Sequence, residues 1–171
     1  MSTDHTHPRL PLLYLLIFIY ILFSSNAYAL EKDKETPLTI QADNADIDNK
    51  GEVSTYQGNV KITQGSLLIS ADRLVINHPQ GKIRSITAKG TPARYQYQAK
   101  PQASPVMAQA QTIVYVTRKD QVTLTGDAFL QQNKNQFNSE KIIYDIKKDH
   151  VQAYGAPAGK QIQITITPNT P

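Results

Sequence analysis

The chain contains no cysteine and no tryptophan, and glycine supplies only 8 of its 171 residues. Without cysteine it can form no disulfide, no thiolate zinc site and no thiol nucleophile. Other catalytic chemistry is equally sparse. His5 and His7 lie near the start, and His78 and His150 stand beside predicted turns, so no pair has metal-ligand or HExxH spacing. No GxSxG elbow, phosphate loop or dinucleotide fingerprint occurs. The 18 basic residues outnumber the 14 acidic ones, giving a net charge of +4. They are scattered, without the basic-aromatic interleaving of single-strand binders, so the balance points to an anionic lipid or membrane surface and not to nucleic acid.

One long apolar run is present, 10-LPLLYLLIFIYILF-23, followed by 24-SSNAYAL-30. Its 14 residues are short for a membrane span, which needs roughly 20. Ala27 and Ala29 flank Tyr28 in the small-x-small pattern of a signal peptidase site. The expectation is a cleavable export signal over residues 1–29, a charged lead-in over 30–36, a folded domain over 37–167 and a short tail over 168–171. An uncleaved membrane anchor is the alternative. An exported chain without cysteine must be held by packing or by assembly.

Beyond residue 36 the hydrophobic period is two. Leu38 and Ile40, Val60 and Ile62, and Leu67 and Ile69 each bracket one residue of the opposite face. Turn signals recur every eight to twelve residues, among them 57-QGN-59, 64-QGS-66, 89-KGTP-92, 125-TGD-127 and 147-KKDH-150. No segment sustains a helical stripe. The pattern predicts an all-β chain of many short strands and tight turns.

The stretch 57-QGNVKITQGSLLISADRLVI-76 returns as 125-TGDAFLQQNKNQFNSEKIIY-144 at a constant offset of 68 residues. Gly58 falls on Gly126, Asn59 on Asp127, Asp72 on Glu140 and Leu74 on Ile142. A further match, 88-AKGTPA-93 with 153-AYGAPA-158, sits at an offset of 65, and 41-QAD-43 and 70-SAD-72 echo each other 29 residues apart. Such repetition implies stacked units, each burying its apolar row against its neighbours. Asp72 and Glu140 could be imagined as a glycosidase carboxylate pair. Their matching places before a strand are better explained by turn hydrogen bonding.

The order and spacing of Tyr56-Gln57-Gly58-Asn59-Val60, 63-TQG-65, 70-SADRLV-75, 90-GTPARYQ-96, 124-LTGDAFLQQ-132 and 139-SEKIIYD-145 resemble the organic-solvent-tolerance domain family of periplasmic lipopolysaccharide transport proteins. The resemblance runs from about Pro37 to Gly155. It implies a twisted antiparallel β-jellyroll, a taco-like two-sheet sandwich with open ends, holding lipopolysaccharide acyl chains between its sheets. It also implies an inner-membrane-anchored jellyroll partner, the outer-membrane translocon as the second partner, and head-to-tail self-association. No enzymatic activity and no cofactor are implied.

The residues expected to line the groove are Leu38, Ile40, Val60, Ile62, Leu67, Ile69, Leu74 and Ile76 in the first half. Ala128, Leu130, Phe137, Ile142 and Tyr144 follow in the second. By resemblance, Leu38 is joined by Tyr95, Tyr115 and Thr117. Acyl chains have no directional groups, so an apolar trough recognises them by area, at roughly 25 cal/mol per Å². Lys61, Lys82, Arg84, Lys89 and Arg94 are candidate headgroup contacts. The strands near 37-PLTIQA-42 and 161-QIQITIT-167 are expected to be open edges that pair with other jellyrolls. The competing readings are a membrane-anchored relative in the same pathway and a scaffold or adhesive β-repeat with a dry core and no cargo.

Overall fold

The computed structural model describes residues 36–98, 104–156, 159 and 161–168. The expected export signal and the lead-in up to residue 35 lie outside the described residues, as does the tail beyond Pro168. Ten strands form one antiparallel sheet: β1 (Thr39–Gln41), β2 (Asn44–Asp48), β3 (Val53–Gln64), β4 (Leu67–Asn77), β5 (Ser85–Tyr97), β6 (Val106–Val116), β7 (Gln121–Gln132), β8 (Asn135–Asp145), β9 (His150–Tyr154) and β10 (Gln163–Thr165). Strands β3 to β8 pair in sequence order as a meander. Two short strands share each outer edge: β1 and β2 both pair with β3, and β9 and β10 both pair with β8.

The predicted short strands are corrected here. β3 to β8 are each 11 to 13 residues long, and each is interrupted at its middle. Three of the predicted turns, 57-QGN-59, 89-KGTP-92 and 125-TGD-127, are not hairpin ends; they lie at these breaks, where the pairing register slips. In β3 and β7 the break is a pair of left-handed residues, Gly58-Asn59 (φ +77° and +45°) and Gly126-Asp127 (φ +80° and +49°). Glycine accepts that conformation freely and Asn and Asp tolerate it, which explains the composition of the repeated word. In β4, β5, β6 and β8 the burial phase slips instead: Ile69 and Ala71 are buried, then Leu74 and Ile76. Asp72 and Glu140 sit at these slips within their strands, not ahead of a strand as expected, and Thr91 Oγ1 donates to Asp72 Oδ2 at 3.4 Å.

Aligned side by side, the breaks form a crease that folds the single sheet into two facing layers. One layer holds β2, β9 and the halves of β3 to β8 that end at Val53, Asn77, Ser85, Val116, Gln121 and Asp145. The other holds β1, β10 and the remaining halves. The buried residues of both layers form one cluster. Two buried rows flank the crease: one is mostly small, with Val60, Ala71, Ala93, Ala110, Ala128 and Ser139, and the other is large, with Leu74, Ile113, Leu124 and Ile142. The small side chains of one row leave room for the large ones of the other, and Ile62 fills the space farther out. The result is a twisted antiparallel jellyroll that does not close on itself, because neither pair of edge strands meets the other.

Candidate functional site: the apolar interior and its lips

The strand register lays the interior out in rows. One row crosses eight strands as Ile40, Ile62, Ile69, Tyr95, Ala108, Leu130, Phe137 and Ile164. At about 4.8 Å per strand it is roughly 34 Å long. The facing layer supplies Ala45, Tyr56, Leu74, Ala88, Ile113, Leu124, Ile142 and Ala153 in matching register. Both rows run from one open edge of the sheet to the other. Their middles are buried; at the far end Ile164 is 50% exposed.

The sequence-expected residues fall on this interior with one exception. Val60, Ile62, Ile69, Leu74, Ile76, Tyr95, Ala128, Leu130, Ile142 and Tyr144 are buried in the core cluster, and Leu38, Ile40, Leu67, Tyr115 and Phe137 pack against it half-buried. Thr117 is the exception: it begins a single 3-10 turn, and its Oγ1 donates to the Ile83 carbonyl at 2.7 Å, with the Arg84 carbonyl at 3.1 Å. Of the five candidate headgroup contacts, Lys61, Lys89 and Arg94 alternate with buried neighbours and so lie on the outer faces; Lys82 and Arg84 lie on a turn at the mouth. The expected edges at 37–42 and 161–167 shrink to β1 and β10, and β2 and β9 share the role.

Sequence reasoning missed Ala108, Ile86, Val106, Ile113, Val122 and Leu124, all buried. The alternation of Val122 and Leu124 with threonines was the available signal. The run 113-IVYV-116 hides its facing because apolar residues fall on both sides, and the structure turns Val114 outward, where it pairs with Thr87 and Thr123.

Opposite the crease, the strand ends form two lips. On one, the turns between β2 and β3, β4 and β5, β6 and β7, and β8 and β9 are stitched side by side. His78 N donates to the Glu52 carbonyl at 2.9 Å, Thr117 N to Arg84 at 3.1 Å and Ile146 N to Asp120 at 2.9 Å. On the other, Gln64 Nε2 donates to the Thr36 carbonyl at 3.1 Å and Ser66 Oγ to Gln98 at 2.9 Å. Gln132 Nε2 reaches across the mouth to Asp149 Oδ1. Beside it Tyr144 donates to the same carboxylate at 3.1 Å, and Tyr115 donates to Asp120 Oδ1 at 3.0 Å. Burial, then the neighbouring carboxylate, holds the Tyr115 and Tyr144 hydroxyls well above the ordinary tyrosine value. Burial, then Tyr115 and Tyr144 nearby, does the same for Tyr95. These groups are neutral at any physiological pH, so the apolar interior carries no buried charge from them. Among the described residues no cluster of His, Asp or Glu could hold a metal ion.

A sequence model of the LptA/(LptD N-terminal domain) LPS transport protein family matches residues 39–150, from β1 to the start of β9. This chain belongs to that family. It is 35% identical over 164 residues to the lipopolysaccharide export system protein LptA of Escherichia coli, covering 94% of this chain and 87% of that one. It is 36% identical over 142 residues to LptH of Pseudomonas aeruginosa, covering 82% and 81%. The crystal structure of LptH, described as the LptA-homologous periplasmic component of the lipopolysaccharide transport device, superposes with a TM-score of 0.74 at 31% identity over 80% of this chain and 99% of LptH. This LptA-family chain is therefore a periplasmic component of the lipopolysaccharide transport machinery and, like its family, non-catalytic.

Proposed function

We propose that the chain holds the acyl chains of lipopolysaccharide between its two layers and relays them along the edge-to-edge apolar rows. In this reading it is one link of an end-to-end bridge between an inner-membrane-anchored jellyroll and the outer-membrane translocon. The observation that carries the reading is the uninterrupted row from Ile40 to Ile164, which opens at both sheet edges. A neighbour adding strands at β1 and β2, or at β9 and β10, would extend both rows without a polar step. Ile164 and Ile166, 50% and 70% exposed, are apolar surface that such a neighbour would cover.

Ile62, Leu74 and Ile142 are fully buried, so an acyl chain enters only if the layers part at the lips. The crease favours this motion: each strand already breaks there, and parting leaves the inter-strand ladders of each layer intact. That same full burial favours the scaffold reading, in which the core stays dry. Photocrosslinking in cells separates them, with a photoreactive residue at Tyr95 inside and at Lys61 outside. An adduct with lipopolysaccharide at Tyr95 and none at Lys61 supports the carrier. A folded, exported protein with no adduct at Tyr95 leaves the scaffold.

A further inference from the structure

The two lips differ in charge. Among the described residues, Lys134 is the only charged side chain on the lip formed by the turns after β3, β5 and β7. The opposite lip, residues 48–52, 77–84, 117–120 and 145–149, holds seven cations and five acids. Those acids are engaged by the lip itself. Asp48 Oδ1 accepts from Lys50 N and Gly51 N at 3.0 and 2.8 Å, and Glu52 Oε1 accepts from Gln80 N at 2.8 Å. Asp120 and Asp149 accept from Tyr115 and Tyr144, and Asp145 accepts from Lys148 N at 2.9 Å. Lys148 also forms an ion pair with Asp145 at 3.6 Å. The other six cations, Lys50, Lys82, Arg84, Arg118, Lys119 and Lys147, are exposed and make no ion pair among the described residues.

We infer that this lip is a phosphate rail: a row of cation clusters along which the phosphorylated headgroup of the cargo is held and passed. The inference rests on the reading that acyl chains occupy the interior, since only then does the headgroup stand at the mouth. Consecutive turns on the lip are two strands apart, about 10 Å. That exceeds the Debye length of about 8 Å at physiological salt, so each cluster acts largely as a separate station along the row. The row runs parallel to the apolar rows below it, and each step that advances an acyl chain by two strands brings a phosphate from one cluster to another. None of the clusters is enclosed. Exposed contacts are individually weak, as a conduit requires, because a site that binds too well does not release.

The test uses the purified full-length mature chain and two probes: phosphorylated lipopolysaccharide, and the same preparation with its lipid phosphates removed. Affinities are compared at low salt for the unaltered protein, for a lip variant (K82Q, R84Q, R118Q and K119Q together) and for an outer-face variant that removes the same number of charges (K61Q, R73Q, K89Q and R94Q together). Each carries a photoreactive residue at Tyr95 to report interior occupancy, and thermal melting checks the fold. The unaltered protein and the outer-face variant should prefer the phosphorylated probe by roughly tenfold, the sum expected of several exposed charge contacts. In the lip variant the preference should fall to within about twofold of none, while the Tyr95 adduct persists with both probes. Equal affinities of the unaltered protein for both probes, with the adduct present, would overturn the rail and leave the carrier standing. A loss of preference as large in the outer-face variant would overturn it too, by showing that net charge alone is responsible. If neither probe forms an adduct at Tyr95, the carrier reading falls and takes the rail with it.

Discussion

The first repeat, from β2 to β5, and the second, from β6 to β9, have the same backbone plan with different polar fittings. At the crease, Asn59 Nδ2 donates to Asp43 Oδ2 at 2.9 Å in the first, and Gln111 Nε2 donates to Asp127 Oδ2 at 3.2 Å in the second. The acid has moved to the other side of the bond and the bond has been kept. In both, the neighbouring side chain, Asp43 from the link between β1 and β2 or Gln111 from β6, lies over the crease glycine where a Cβ would go. At the mouth the repeats diverge. The positions of Tyr115 and Tyr144 correspond at the 68-residue offset to Ile47 and Ile76, so these two tyrosine-carboxylate bonds have no counterpart at the matching positions of the first repeat. The crease is thus a shared structural device, and the lip is where the two halves are free to differ.

Equivalent core positions should test the shared part most severely. Leu74→Ala and Ile142→Ala, one in each half and both fully buried, should each cost about 2–5 kcal/mol in urea unfolding. Costs differing by more than about 2 kcal/mol would break the equivalence of the halves. Next come the crease glycines. Gly58→Ala and Gly126→Ala each force a side chain into left-handed backbone, against Asp43 in one case and within 2.8 Å of Gln111 Oε1 in the other. Each should lose about 1–3 kcal/mol, and adding Asp43→Ala to Gly58→Ala should recover part of it, because the collision is removed and the φ strain is not.

The lip should show the asymmetry. Tyr115→Phe and Tyr144→Phe should each cost about 0.5–1.5 kcal/mol by deleting a hydrogen bond to a carboxylate. Alkaline titration reads the same tyrosines together with Tyr95. Their folded-state values are raised above the ordinary 10.0, so the folded protein retains protons that the unfolded chain gives up. Stability from this source is complete below about pH 10 and falls as pH rises beyond it. Unfolding followed against pH should therefore show a decline that starts near pH 10 and is reduced in a variant with all three replaced by Phe. The smallest effect belongs to the crease exchange: Asp43→Gln with Asn59→Asp, which copies the second repeat into the first, should change stability by less than about 0.5 kcal/mol.

Much of this was legible in the sequence because a half-buried strand writes its facing in every second residue. Val60-Lys61-Ile62 and Leu67-Leu68-Ile69 announce their buried sides, and the 68-residue repeat announces the two halves. The crease was misread because Gly-Asn and Gly-Asp are also the words of a hairpin turn. What separates a turn from a mid-strand break is whether the register resumes beyond it, and that is a property of the neighbouring strand. Thr117 was placed on the interior by resemblance, yet the strand ends one residue before it. Ala108 escaped notice because a methyl group weighs little in a hydrophobic pattern, although its place between Tyr95 and Leu130 makes it part of the row. The lip emerged only from topology, since its cations come from four turns spread over a hundred residues.

The central claim is that cargo travels along the whole row between the layers. Photoreactive residues placed one at a time at Ile62, Ala108 and Phe137, and at the outward neighbours Lys61, Gln109 and Asn138, test it directly in cells. The account predicts lipopolysaccharide adducts at all three interior positions and none at their neighbours. Adducts at one end only, or equally on both faces, would contradict a continuous interior route.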